Sequence, residues 1–164
     1  MSLTHLDEHG RARMVNVGAK PETARKAVAE GRVLMSAEAL EMVRTAAVAK
    51  GDVIAIASLA GVMGAKQTST LIPLCHPLSI DQVQVGLELR NEWPGIRVIA
   101  TVTATARTGV EMEALTAVAV GCLTVYDMIK AADRAMRIDG IRLLHKTGGA
   151  RGTWHAADFQ EDGQ

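Results

Sequence analysis

Aromatic residues are nearly absent from this chain: two Trp, one Tyr and one Phe, 2% of 164 residues. A core with so few rings has to be filled by Ala, Val, Leu, Ile and Met. Few stacking platforms remain for a single-stranded nucleic acid. Net charge is missing as well, because 18 Lys and Arg balance 18 Asp and Glu. That removes the drive for non-specific binding to nucleic acid or an anionic membrane, while leaving room for a local basic pocket. Only two cysteines occur, Cys75 and Cys122, and no CxxC. Neither a disulfide framework nor a zinc knuckle is indicated, and a reducing cytoplasm is the default compartment. The opening MSLTHLDEHGRAR carries charge early and has no apolar core of the secretory kind. The uncharged, apolar run Ala114 to Tyr126 falls short of the roughly 20 residues of a spanning helix. There is no repeat and no Pro-rich or Ser-rich linker.

What is present is a high apolar share, 48%, enough for one core. A single domain over residues 1–164 is expected, with an irregular arm to about residue 20 and a frayed tail from about residue 155. Thr23 to Met35 is ambiguous: Pro21 would suit a helix start, whereas Val33, Leu34 and Met35 after Gly31 look like strand, and the extended reading is preferred. Ser36 is a helix cap, and Ala37, Leu40, Met42, Val43 and Ala47 keep helical spacing to about Val48. Gly51 breaks that helix. Asp52 caps a second, largely apolar one running to about Ala65. Two alternating segments, Ser79 to Leu89 and Ile96 to Thr105, flank Trp93-Pro94-Gly95 and predict a hairpin. A long helix from about Met112 to Ala132 carries the stripe Leu115, Val118, Cys122, Val125 and Ile129. A last strand around Ile138 to Leu144 precedes the glycine-rich KTGGARG. The order predicts an α+β fold, a ferredoxin-like split βαβ with an antiparallel sheet and one extra helix. One face of such a sheet is left without helices, which favours self-association.

Four groups of residues could carry chemistry. Asp127 and Lys130 lie three apart on the long helix, flanking its apolar stripe and so expected to be partly buried. A carboxylate there can tune the amine for proton transfer, but the same spacing makes an ordinary surface ion pair. The run Leu71-Ile72-Pro73-Leu74-Cys75-His76-Pro77-Leu78 sets Cys75 and His76 between two prolines, a rigid non-helical segment. His76 there could contact a ligand, but spacing alone favours a structural turn with a buried Cys75 and a satisfied His76. A metal site there would need partners as distant as His145 or His155, so none is assigned. In Gly109-Val110-Glu111-Met112-Glu113, two carboxylates at a helix start could favour the dipole or accept from the paired donors of a guanine-like ring. Finally Arg25, Lys50, Lys66, Lys130, Lys146 and Arg151 sit near element ends or glycines. Lys146-Thr147-Gly148-Gly149 would let backbone amides approach an anion, although there is no P-loop.

Together these segments resemble the cyclic pyranopterin monophosphate synthase family of molybdenum cofactor biosynthesis. The likeness runs from Leu3-Thr4-His5 to Trp154. It rests on Lys66-Gln67-Thr68 followed by LIPLCHPL, then TGVEMEALTAV, LTVYDMIKA and LLHKTGG, in that order, with MVNV and KGDVIA agreeing. The resemblance implies a cytoplasmic lyase that takes a cyclised guanosine triphosphate derivative, rearranges it to a pyranopterin, closes a cyclic phosphate and releases pyrophosphate. It implies a homohexamer, a trimer of dimers, with the site at a subunit interface. Carried over by motif, Asp127, Lys130 and Lys146 would be catalytic. Leu74, Cys75, His76, Glu111, Met112 and Glu113 would bind substrate, with Lys50, Lys66 and Arg25 around its triphosphate and base. No protein-bound cofactor or metal is implied, and Mg2+ would come only on the substrate phosphates. Neither nucleic acid nor membrane is a partner. The chain departs from the family's pattern at Asn16 (usually Asp), at Gln67 (commonly Arg) and at Ala150-Arg151 (usually a basic residue, then Ser). These departures leave a non-catalytic nucleotide-binding relative as the alternative.

Overall fold

The structure is a computed structural model that describes residues 9–159; the Leu3-Thr4-His5 segment lies outside them. The described part of the arm, residues 9–22, is irregular apart from a bridge at Ala12. The elements follow as β1 (Thr23–Leu34), α1 (Ala37–Arg44), α2 (Val53–Lys66), α3 (Thr68–Leu71), β2 (Gln82–Arg90), β3 (Gly95–Ala106), α4 (Glu111–Ile129), β4 (Arg137–Thr147) and β5 (Trp154–His155). The sheet order is β2-β3-β1-β4-β5, antiparallel throughout. Its first four strands have the ferredoxin-like arrangement that the sequence pattern predicts.

The caps explain where the helices begin. The Ala39 amide donates to Ser36 Oγ (3.2 Å) and the Ala55 amide to Asp52 Oδ1 (3.0 Å), each satisfying an amide that has no partner inside its helix. The stop of α1 differs from the expectation: it ends at Arg44, not near Val48. The Ala47 amide donates to Met42 O and the Ala46 amide to Val43 O, a Schellman closure that needs a left-handed residue. Ala46 takes that conformation at φ 54°, where a Cβ is strained. The apolar Val43 and Ala47 kept helical spacing, but backbone closure three residues earlier decided the end.

The scarcity of rings shows in how layers close. Ala27, Ala29 and Val33 of β1 and Ile96, Val98, Ala100 and Val102 of β3 are fully buried beneath Ala117, Val118, Cys122 and Val125 of α4. Small side chains fill that space only if backbones come close. On α2 two glycines face α4: a Cβ on Gly61 would stand 3.0 Å from Ala117 O, and one on Gly64 2.8 Å from Val120 Cβ. By length and composition α4 could cross a membrane, yet 56% of its apolar window is buried within the fold, which makes it a core helix. Among the described residues, no helix covers the sheet's other face. It carries Glu30, 6% exposed, receiving Arg97 Nε at 2.8 Å and Arg142 Nε at 2.9 Å.

Residues 155–159 depart from the expectation of fraying, and the rest of the tail lies outside the described residues. His155 pairs with His145 in β5, and the chain to Phe159 packs back on β4. The missed signal was the two-residue length of β5, too short for any periodicity to register.

Replacing Ala46 with glycine removes the left-handed strain. Ala46→Gly should stabilise the protein by about 1 kcal/mol, read as a higher urea midpoint at unchanged slope. A midpoint at or below the wild-type value would show that the closure carries no strain.

Candidate active site

A cavity of about 670 Å³ opens where the arm, the loop before β2, the start of α4 and the end of β4 meet. Of the candidates singled out from sequence, Arg25, Leu74, Cys75, His76, Glu111, Met112, Glu113, Lys146 and Arg151 line it. The prolines place Leu74, Cys75 and His76. Pro73 and Pro77 bar regular structure, and the Cys75 amide closes a turn onto Ile72 O (3.1 Å). His76 Nε2 lies 2.8 Å from Val15 O; a carbonyl only accepts, so Nε2 donates and the arm is pinned across the cavity.

Lys146 reaches the cavity because of a β-bulge. Opposite Val28-Ala29 of β1, strand β4 carries His145, Leu144 and Leu143, one residue too many. Val28 and its partner His145 therefore share the helix-free face, while Lys146 shares the helix side with Ala27. In unbroken alternation with Leu143, Lys146 would point away from the cavity. Instead its ammonium sits 3.3 Å from Glu111 Oε1, both groups largely shielded from solvent. The turn after it packs tightly. At Gly148 (φ 94°) a Cβ would meet Ala24 O at 2.2 Å, so only glycine fits there. Arg25 Nε in turn donates to Ala106 O (3.2 Å), tying β1 to the end of β3.

Two carboxylates sit in the first turn of α4, which has no side-chain cap, so they face the positive end of the helix dipole. Glu113 is 4% exposed. Burial pushes its carboxyl up, its own backbone amide offsets part of that, and the Glu111 charge raises it further. Burial, and then the Glu113 charge, also raise the Cys75 thiol. A thiol so placed stays protonated at neutral pH, which suits a contact residue and not a thiolate nucleophile.

The remaining candidates are elsewhere. Asp127 and Lys130 stand at the far end of α4, more than half exposed and not partly buried as the stripe suggested. Lys130 Nζ lies 2.6 Å from Asp127 Oδ1, and Lys50 Nζ donates to Asp127 Oδ2 (2.7 Å) and to its backbone carbonyl (2.8 Å). This is the negative end of the dipole, unfavourable for a carboxylate. The hydrogen bonds of Lys130 and Lys50 nevertheless lower Asp127 to about 2. Asp127 in turn raises Lys130, through its hydrogen bond and then its charge, so the pair presents a carboxylate and a proton donor. Lys66, in the last turn of α2, is exposed and outside the cavity. Glu111 and Asp127 are 16 positions apart on one helix, about 24 Å along its axis. One chain therefore keeps these candidates in two separate clusters.

Lys20 and Arg107 also line the cavity and were missed from sequence. Arg107, 3.6 Å from Glu22, stands at the rim. Its position directly before Thr108-Gly109 at the turn into α4 was the available signal. Of the departures, Asn16 accepts from the Gly18 amide at 2.8 Å, the turn that an aspartate oxygen would close equally well. Ala150 and Arg151 both line the cavity. Among the described residues no three His, Cys, Asp or Glu side chains gather as a metal cluster.

Fold and cavity together define a ferredoxin-like domain with a pocket of cations and carboxylates large enough for a small molecule. The chain belongs to the MoaC family, whose sequence profile matches residues 14–149. It is 56% identical over 156 residues to the cyclic pyranopterin monophosphate synthase of Thermomicrobium roseum, covering 95% of this chain and 94% of that one. It is 57% identical over 155 residues to the enzyme of the same name from Cereibacter sphaeroides (94% and 98%) and to that from a Methylobacterium strain (94% and 97%).

Because Glu113 is buried with a raised carboxyl, its ionised form is costly in the folded state. Glu113→Gln should raise the melting temperature at pH 7. That gain should shrink as pH falls through the raised folded value and vanish below the unfolded value of about 4.3, where Glu113 is uncharged in both states. A gain that grew on acidification would show that Glu113 has a stabilising partner.

Proposed function

We propose that the protein converts (8S)-3',8-cyclo-7,8-dihydroguanosine 5'-triphosphate to cyclic pyranopterin monophosphate with release of pyrophosphate, in molybdenum cofactor biosynthesis. The names of relatives identical at more than half of all positions over nearly the whole chain support this reaction. So does a cavity that sets Lys20, Arg25, Arg107, Lys146 and Arg151 beside two carboxylates. The cations suit a triphosphate, and Glu113 suits the paired N–H donors of a guanine-derived ring. Ring opening and reclosure need proton carriers. Lys146 beside Glu111 is one, and Lys130 beside Asp127 is a donor. Lysine and arginine would stabilise the charge that develops on departing pyrophosphate. Any Mg2+ would arrive on the phosphate oxygens. A reducing cytoplasm suits two cysteines that remain free.

The observation that carries the reading furthest is the separation of the half-sites along α4. A nucleotide reacting at Lys146 is out of reach of Asp127 and Lys130 in the same chain. An exposed apolar stripe, Ile56, Leu59 and Met63 of α2 with Leu123 of α4, lies between them. A two-fold axis through that stripe would set the Lys50–Asp127–Lys130 cluster of one copy at the cavity of another. The complete site is then shared between subunits, within the hexamer the family resemblance implies.

Purified protein incubated with the cyclised triphosphate should yield pyranopterin and pyrophosphate by mass spectrometry. Lys130→Ala, at an exposed position, should fold normally and lose roughly 100-fold or more in turnover. Unchanged substrate with wild-type protein would refute the reaction, and normal turnover by Lys130→Ala would remove that lysine from it. Mixing inactive Asp127→Ala and Lys146→Ala subunits should restore about a quarter of wild-type activity, since mixed pairs keep one intact site of two. No recovery after subunit exchange would mean self-contained sites.

A further inference from the structure

Lys146 stands on β4, which would be the last strand of the sheet without the C-terminal residues. β5 pairs with it at two positions only, His145 with His155 and Lys146 with Trp154. Beyond β5 the chain folds across the helix-free face. The Ala156 amide donates to Leu144 O at 2.8 Å. The Asp158 carboxylate receives Arg142 Nη1 at 3.1 Å and Nη2 at 2.5 Å. The Phe159 ring stacks on His145, with centroids 5.1 Å apart and planes at 21°. Every one of these contacts falls on residues 142–146, the stretch that contains the Leu144 bulge.

His145 supplies an independent sign. It is 6% exposed, yet among the described residues its Nδ1 has no hydrogen-bond partner. Such a buried atom is costly, so hydrogen bonding is not what holds the ring in place. The Phe159 ring covers it.

We infer that residues 154–159 form a clasp that sets the position of Lys146, with Phe159 and Asp158 as positioning residues; the inference rests on the reaction proposed above. The reason is mechanical. At the bulge, β4 has one residue more than β1 can pair, so β1 alone does not define how the extra residue is accommodated. β5 fixes it from the other edge and Phe159 from the face. Arg142, bonded at once to Asp158 and to the buried Glu30, ties the tail to β1. Losing the bulge, so that β4 slips by one residue against β1, would exchange the faces of His145 and Lys146 and draw the ammonium away from Glu111. The same pairing fixes both ends of the 148–153 loop, whose Gly148, Gly149, Ala150 and Arg151 line the cavity. The clasp lies beyond residue 149, where the match to the family profile ends.

Neither Phe159 nor Asp158 lines the cavity, which makes the test clean. Full-length Phe159→Ala and Asp158→Asn are compared with Phe159→Tyr and Asp158→Glu, all assayed well below their melting temperatures. The expected result is a kcat lowered at least about tenfold in the first two, a KM within about twofold of wild type, and recovery in the conservative pair. Amide hydrogen exchange, read without substrate, should quicken at residues 143–149 and stay unchanged in α2 and α4. Wild-type kcat in Phe159→Ala and Asp158→Asn, or a raised KM at full kcat, would overturn the clasp. So would unchanged exchange at residues 143–149, even with a lowered melting temperature. If the wild type itself leaves the cyclised nucleotide unchanged, the reaction assignment falls, and the exchange measurement still decides whether the tail sets β4.

Discussion

The close approach of α2 and the sheet to α4 is the constraint on which the rest depends. With four aromatic residues in 164, the core cannot be filled by reaching across a gap. Backbones have to meet, and the small residues of α4, together with Gly61 and Gly64 of α2, let them do so. The result is a long helix with little freedom to tilt, clamped between a sheet and a second helix. Whatever is attached to its two ends is held at a fixed separation.

Those ends are electrostatic opposites, and each is furnished against or with its dipole in a way that fits chemistry. At the start of α4 the dipole favours Glu111 and Glu113, and burial works against Glu113, leaving one carboxylate ion-paired with Lys146 and one raised. At the other end the dipole disfavours Asp127, and two lysines hold it ionised. Two carboxylate–lysine clusters of different character therefore share one rigid element. An exposed apolar stripe lies between them.

Positioning at the cavity relies on irregularities, not on regular structure. A bulge turns Lys146 inward, a pair of prolines presents Cys75 and His76, and a left-handed glycine lets the turn after β4 lie against Ala24. Each breaks a local rule where function gains from it. The short β5 and its tail contribute in the same way, completing a strand edge beside the site.

The order of elements was legible in the sequence because each rests on local causes: Ser36 and Asp52 as caps, strict alternation in β3, and a 3.6-residue stripe in α4. Cys75, His76, Glu111, Glu113 and Lys146 were legible as candidates through motif resemblance. Their chemistry was not, since spacing cannot distinguish a buried, raised Glu113 from a surface carboxylate. The end of α1, the exposure of Asp127 and Lys130, and the docking of the tail were decided by backbone closure and packing between segments distant in sequence. So was the inward turn of Lys146, which depends on β1 and β4 disagreeing by one residue. Sequence by itself determined which residues could form helices and strands and which could carry protons. Only the tertiary structure decided which of them share a cavity, because burial, register and distance are properties of pairs of segments and are written in neither one alone.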